Sequence, residues 1–207
     1  MKPAQSGVRP PQQARSRAAL ERLLASAEYV LVNEGIDEFT IARVAEHAGV
    51  SVGGVYRRFE GKEQLLDAVR QELLARVEAA VLTALDGAGS SLKSVVDAFV
   101  GALGATLSDS GRVIPAIIAG GYNADAPVQG LRTVGLLQAR FVAAAAPYAK
   151  QIRHPEPQTA LLVVFRNAIS YGAHRAASLQ MWPDGLTWEQ WSTEITDMSM
   201  AYLKAKR

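Results

Sequence analysis

The sequence predicts an all-α protein: an N-terminal three-helix unit built around a helix-turn-helix, then a C-terminal helical bundle. Three observations predict it. Apolar residues recur at three- and four-residue spacing through most of the chain. Capping residues, Gly and Pro interrupt that pattern where helices would start and stop. Alternating strand patterns and Asn-Gly hairpins are missing, while alanine is abundant.

Composition narrows the class further. At 207 residues the chain is long enough for one or two domains with a real core. A hydrophobic content of 49% excludes a disordered chain. No apolar run reaches the roughly 18 residues of a membrane span, and the N-terminus lacks the apolar core of a signal peptide. A cytoplasmic location is the expectation. Cysteine is absent, so disulfides and thiol-ligated metals are excluded.

The net charge of +2 does not by itself announce a polyanionic partner, but its distribution is uneven. Residues 1–22 hold Lys2, Arg9, Arg15, Arg17 and Arg22 against a single acid, Glu21. With Pro3, Pro10 and Pro11, residues 1–13 read as a disordered basic arm. Such an arm can reach a phosphate backbone or serve only as a solubilising tail. The first helix is expected from about Arg15 to Asn33, with Leu20, Leu23, Leu24, Ala27, Val30 and Leu31 as its apolar stripe. Gly35 ends it.

Residues 40–66 carry the densest information. Thr40 caps a helix whose apolar positions are Ile41, Val44, Ala45 and Ala48, and Gly49 follows where the chain needs positive φ. Ser51 caps a second helix over Val52–Phe59, with Val52, Val55, Tyr56 and Phe59 as one apolar face. This is the layout of a helix-turn-helix, whose second helix lies in a DNA major groove. Gly53 and Gly54 each cost a helix roughly 1 kcal/mol relative to Ala, which makes sense where another surface must approach the backbone. Arg57 and Arg58 lie on the side away from Val55 and Phe59. Lys62 opens the next helix, where a cation and free N–H groups suit a phosphate.

These residues resemble the DNA-binding domain of TetR-family transcriptional regulators. The resemblance covers residues 15–66 and rests on Thr40, Ile41, Val44-Ala45, Ala48-Gly49-Val50-Ser51, Val55-Tyr56, Phe59 and Lys62-Glu63-Leu65-Leu66. It implies phosphate contacts at Thr40, Tyr56 and Lys62, and contacts to bases or backbone at Val52, Gly53, Gly54, Arg57 and Arg58. Arg43 and Ser51 complete the expected DNA surface. Many members carry Thr, Ser or Ala where this chain has Gly54, so base readout is expected to fall on Arg57 or Arg58, or partly on backbone shape.

The rest of the chain follows the family's general plan. Residues 14–60 are expected to form the DNA-binding domain, 61–86 a connecting helix, and 87–207 a domain for ligand binding and dimerisation. The connecting helix carries Leu65, Leu66, Val69, Leu73, Val77, Val81 and Leu85. Beyond it come amphipathic helices from Leu92 to Leu107, a short one around Val113–Ile118, and others over Val128–Ala146, about Glu156–Leu179 and Thr187–Lys204. Thr187 and Gln190 have the spacing of a capping box. The helix at 156–179 is apolar around most of its circumference and needs cover on more than one side. The family resemblance implies a homodimer through the last two long helices, on a palindromic operator in double-stranded DNA.

A small-molecule effector is expected between the helices, near Phe99, Leu103, Ile117, Tyr122, Phe141, Phe165, Arg166, Asn167 and Tyr171. Each apolar one among them also suits a plain core. No enzyme signature stands against this reading. His47, His154 and His174 lack metal-ligand spacing, and no metal or cofactor is expected. The stretch Gly87–Ser94 matches a phosphate-binding loop only in composition, because no Gly directly precedes its lysine. The alternative is an all-helical adaptor, or an enzyme of unrecognised activity, that does not bind DNA. The expected function is a repressor that leaves its operator when the effector binds.

Overall fold

The computed structural model describes residues 12–110, 113, 126–179 and 181–205. Eight α-helices stand among them: α1 Gln12–Asn33, α2 Ile41–Ala48, α3 Val52–Tyr56, α4 Lys62–Asp86, α5 Leu92–Ser110, α6 Ala126–Ala145, α7 Pro157–Ser178 and α8 Trp188–Lys204. There is no strand among the described residues. The chain divides into two compact units, Met1–Val69 and Arg70–Arg207. The division falls inside α4.

In the first unit, α1 ends where the N–H groups of Glu34 and Gly35 both reach the Val30 carbonyl, at 2.9 and 3.1 Å. Gly35 holds φ +92°, a conformation that a side chain would resist. Thr40 then caps α2 by accepting the Arg43 N–H at 3.1 Å. Gly49 closes the helix at φ +66°, and Val50 N–H returns to the Ala45 carbonyl at 3.0 Å. The core beneath joins Leu23, Ala27, Val30, Phe39, Val44 and Val55, all at most 2% exposed.

The helix expected over Val52–Phe59 is shorter than its periodicity. It stops at Tyr56, with Arg57 as its C-cap. Arg58 N–H turns to the Val55 carbonyl three residues back, at 2.9 Å, which tightens the chain out of α-helical geometry. The expected single apolar face also divides. Val55 and Phe59 are buried, whereas Val52 and Tyr56 are 42% and 55% exposed. At the other end of the unit, α1 begins three residues before the expected Arg15.

In the second unit, α5 packs along α8 and also against α6 and α7. Its buried face is Leu92, Val95, Val96, Phe99, Val100, Leu103 and Leu107. Trp191 of α8 is 1% exposed and sits between two glycines. A Cβ on Gly172 would lie 2.8 Å from Leu107 Cδ1 and 3.2 Å from the indole; one on Gly104 would meet Ser192 Oγ and the indole. The absence of side chains at those two positions makes the slot for the ring. The capping box at the start of α8 forms: Thr187 Oγ1 accepts Gln190 N–H at 3.1 Å, and Gln190 Oε1 accepts Thr187 N–H at 2.8 Å.

The helix expected over Val128–Ala146 starts at Ala126 and passes after Ala145 into a 3-10 helix, Ala146–Gln151, with Pro147 in its first turn. Proline has no N–H to give an α-helix, yet it fits the start of a new helical segment. The short helix expected around Val113–Ile118 lies outside the described residues apart from Val113. So do Ile117 and Tyr122, and so does the arm through residue 11.

Candidate nucleic-acid interface

Two hydroxyls open the two helices of the motif, and both are exposed. Thr40 Oγ1 and Ser51 Oγ each accept one backbone N–H, from Arg43 and Gly54, both at 3.1 Å. That use of the lone pairs leaves each O–H as a donor toward an outside acceptor. Between them, α3 turns an exposed face outward that carries Val52, Gly53 and Tyr56.

The two glycines of α3 differ. A Cβ on Gly53 would meet nothing within 4 Å, so the protein's own packing does not require glycine there. A Cβ on Gly54 would lie 3.2 Å from Ser51 Oγ and 3.6 Å from the Arg57 guanidinium. Gly54 therefore makes room for the capping hydroxyl, while the Arg57 guanidinium would stand at ordinary contact distance.

The cations also differ. Arg43 forks onto the Glu34 carboxylate at 2.7 and 2.8 Å and reaches Glu46 at 2.7 Å. The hydrogen bonds from Arg43 hold the Glu34 carboxyl below its ordinary range, against the opposing effect of burial. The same bonds raise the guanidinium's own pKa. Arg43 thus braces α2 against the end of α1, and its charge is answered inside the unit. Arg58 Nη2 donates to the Ser16 carbonyl and hydroxyl at 3.3 and 3.2 Å. Lys62 Nζ donates to the Ile36 carbonyl at 3.0 Å and lies 5.9 Å from the Phe39 ring centroid. One of its three N–H groups is used, so a phosphate contact remains open to it. Arg57 is exposed; its backbone N–H bonds the Gly53 carbonyl at 3.2 Å, but its guanidinium has no hydrogen bond or ion pair among the described residues.

In the second unit, the residues expected at an effector site separate. Phe99 stacks on Phe165 at a centroid distance of 5.1 Å, Phe141 lies tilted against them at 4.8 and 6.0 Å, and all three are buried, as is Leu103. Arg166 and Asn167 instead lie on the exposed side of α7, and Tyr171 is partly exposed with its ring centroid 6.0 Å from that of Trp191, so none of the three joins the phenylalanines. The helix spacing places Arg166 opposite the stripe that faces the core.

The buried arginine of α7 is Arg175, at 3% exposure. Sequence reading missed it, although it continues the buried stripe of Ala160, Leu161, Val164, Ala168 and Gly172. Its guanidinium forks onto Asp184 at 2.6 and 3.0 Å, donates to the Leu186 carbonyl at 2.7 Å and lies 4.2 Å from the Trp188 ring centroid. The Arg175 hydrogen bond holds the Asp184 carboxyl below its ordinary range. No group of three or more His, Asp or Glu that could hold a metal stands among the described residues. None of the described helices is long and apolar enough to cross a membrane.

A sequence model of the family described as bacterial regulatory proteins, tetR family, matches residues 23–69, the whole of the capped motif just described. Residues 23–69 therefore carry a tetR-family DNA-binding domain. No curated protein sequence matches it. Solved structures of transcriptional regulators share its fold over nearly their full length. FadR from Bacillus subtilis, in complex with stearoyl-CoA, has a TM-score of 0.70 at 12% identity, covering 88% of this chain and 98% of its own. A tetR-family regulator from Marinobacter aquaeolei VT8 scores 0.68 at 16% identity, covering 95% and 100%. The ketosteroid regulator KstR2 of Mycobacterium tuberculosis scores 0.65 at 14% identity, covering 97% and 98%. At these identities the likeness is one of fold.

Proposed function

We propose that this chain is a sequence-specific DNA-binding regulator of the tetR family that acts as a homodimer and represses transcription until a small molecule releases it. The observation that carries the DNA reading is the outward face of α3. Val52 and Tyr56 are exposed there, beside a glycine whose missing side chain serves no packing need of the protein itself. A helix that leaves apolar and aromatic groups in water, next to bare backbone, suits a surface that fits closely against it. Tyr56, Thr40, Ser51 and Lys62 supply donors for phosphates around that face.

Support for the homodimer comes from the outer side of α7, where Leu162 and Val163 are exposed, and from Met198 of α8. Covering these groups with a second copy removes apolar area from water and gives the two-fold symmetry of a palindromic operator. Support for an effector comes from the aromatic core of the second unit and from the relatives. FadR of Bacillus subtilis is seen with stearoyl-CoA and KstR2 is named a ketosteroid regulator, which favours an apolar effector here as well. Residues of α4 belong to both units, so a change driven by ligand in the second would reach the reading helix through it.

Footprinting on the DNA flanking the chain's own gene tests the reading. A protected two-fold symmetric site is expected, with protection lost when an apolar acyl or sterol compound that raises the melting temperature is added. Protection nowhere in that DNA, combined with a monomer in sedimentation, would overturn it.

A further inference from the structure

We infer that Arg57 is the residue that reads a base, and that the base is a guanine in each half-site. This rests on the reading that α3 enters a major groove. Four cations surround the motif, and three have work inside the protein: Arg43 on Glu34 and Glu46, Arg58 on Ser16, Lys62 on Ile36. The Arg57 guanidinium alone among these four cationic groups has no partner among the described residues. Its guanidinium lies back along α3, 3.6 Å from where a Gly54 side chain would begin.

That position is informative. The N-terminal part of a recognition helix is the part that meets base edges. Arg57 follows α3, at its C-terminal end, and would ordinarily point to the backbone of the duplex. Its head instead lies back over Gly54, toward the base-reading part. An unpaired guanidinium there presents two parallel N–H groups. In the major groove, guanine offers a matching pair of acceptors, O6 and N7, and no other base does. Lysine at 57 would keep the charge and lose the fork.

The test uses the full chain. A consensus operator is selected from random duplexes by the wild type, and affinities for it and its single-base variants are measured for wild type, Arg57→Ala, Arg57→Lys, Arg58→Ala and Gly54→Ala. Wild type is expected to prefer guanine about tenfold or more at one position of each half-site. Arg57→Ala and Arg57→Lys flatten that position alone. Gly54→Ala, whose methyl would stand at ordinary contact distance from the guanidinium, and Arg58→Ala leave it. Arg57 is exposed, so unchanged melting is expected for its variants. If Arg57→Ala lowers affinity evenly for all sequences, Arg57 is a phosphate contact and the inference fails while the regulator reading stands. If the wild type selects no sequence at all, both fail.

Discussion

Lys62 donates its ammonium to the backbone carbonyl of Ile36 at 3.0 Å, across 26 positions of sequence. Ile36 belongs to the link between α1 and α2, and Lys62 is the first residue of α4. The bond ties the two ends of the motif and fixes a cation where α4 exposes its unpaired N–H groups. Lys62→Ala is expected to weaken binding to every duplex without changing sequence preference. The slope of log K against log salt should become shallower by about 1. Stability should fall by about 1 kcal/mol for the lost bond. Binding isotherms at several salt concentrations and urea unfolding measure both. An unchanged slope would remove Lys62 from the phosphate contacts.

Gly53 is expected to show opposite effects on fold and function. With nothing within 4 Å of an added Cβ, Gly53→Ala should stabilise the unit by up to about 1 kcal/mol through helix propensity. The same methyl would stand between α3 and the duplex, so affinity should drop. A variant that melts higher and binds DNA as well as wild type would show that no surface approaches that glycine.

The Arg43 brace predicts a dependence on pH. Glu34 is held below its ordinary value of 4.5 in the folded state, chiefly by hydrogen bonds from Arg43. Its contribution is therefore fully present above 4.5 and is lost as pH falls below it. Glu34→Gln should lower the urea midpoint at neutral pH, and the gap to wild type should narrow on acidification. A gap that stays constant would mean the brace is not electrostatic. Arg43→Ala should disturb the seating of α2 and lower affinity indirectly, with its salt slope unchanged.

Much of this was legible in the chain because caps and glycines act locally. Thr40, Gly49, Ser51 and Thr187 bond backbone groups within five residues, so their chemistry shows in the sequence. The partners of the cations were not legible. Arg43 meets Glu34 nine positions away and Arg58 meets Ser16 across 42, distances that only the packed fold brings together. For the same reason Arg166 read as the informative basic group of α7. Arg175 continues the helix's buried stripe, but its partner Asp184 lies beyond the end of α7 and carries no periodic signal.

The Arg175–Asp184 pair should be the most sensitive polar contact of the second unit. Arg175 is almost wholly buried, with its side chain 2% accessible against 27% for Asp184. Asp184→Asn removes the charge that answers it and is expected to cost about 3 kcal/mol, the lower end for unpairing a buried ion. Because the guanidinium lies over Trp188, tryptophan emission should change as well. Asp184 is held below its ordinary 3.8, so wild type keeps this contribution above that value and loses it below. A cost under about 0.5 kcal/mol, in the range of a surface pair, would mean that the ion pair is not the anchor of the link before α8.

The exposed face of α7 separates association from folding. Val163 is 45% exposed, so Val163→Asp should leave the melting of a single chain nearly intact while converting a dimer to monomer in sedimentation. DNA affinity should fall with it, since two linked half-sites bind far more tightly than one. A Val163→Asp protein that remains a dimer would place the interface elsewhere.

The most direct test of the account is the binding of the whole protein to its selected duplex, followed by fluorescence anisotropy as salt is raised. The account predicts saturable binding by a dimer that prefers the selected sequence over a scrambled one and weakens steeply with salt. Equal, negligible binding to both duplexes at low salt, by a protein that sediments as a monomer, would contradict it.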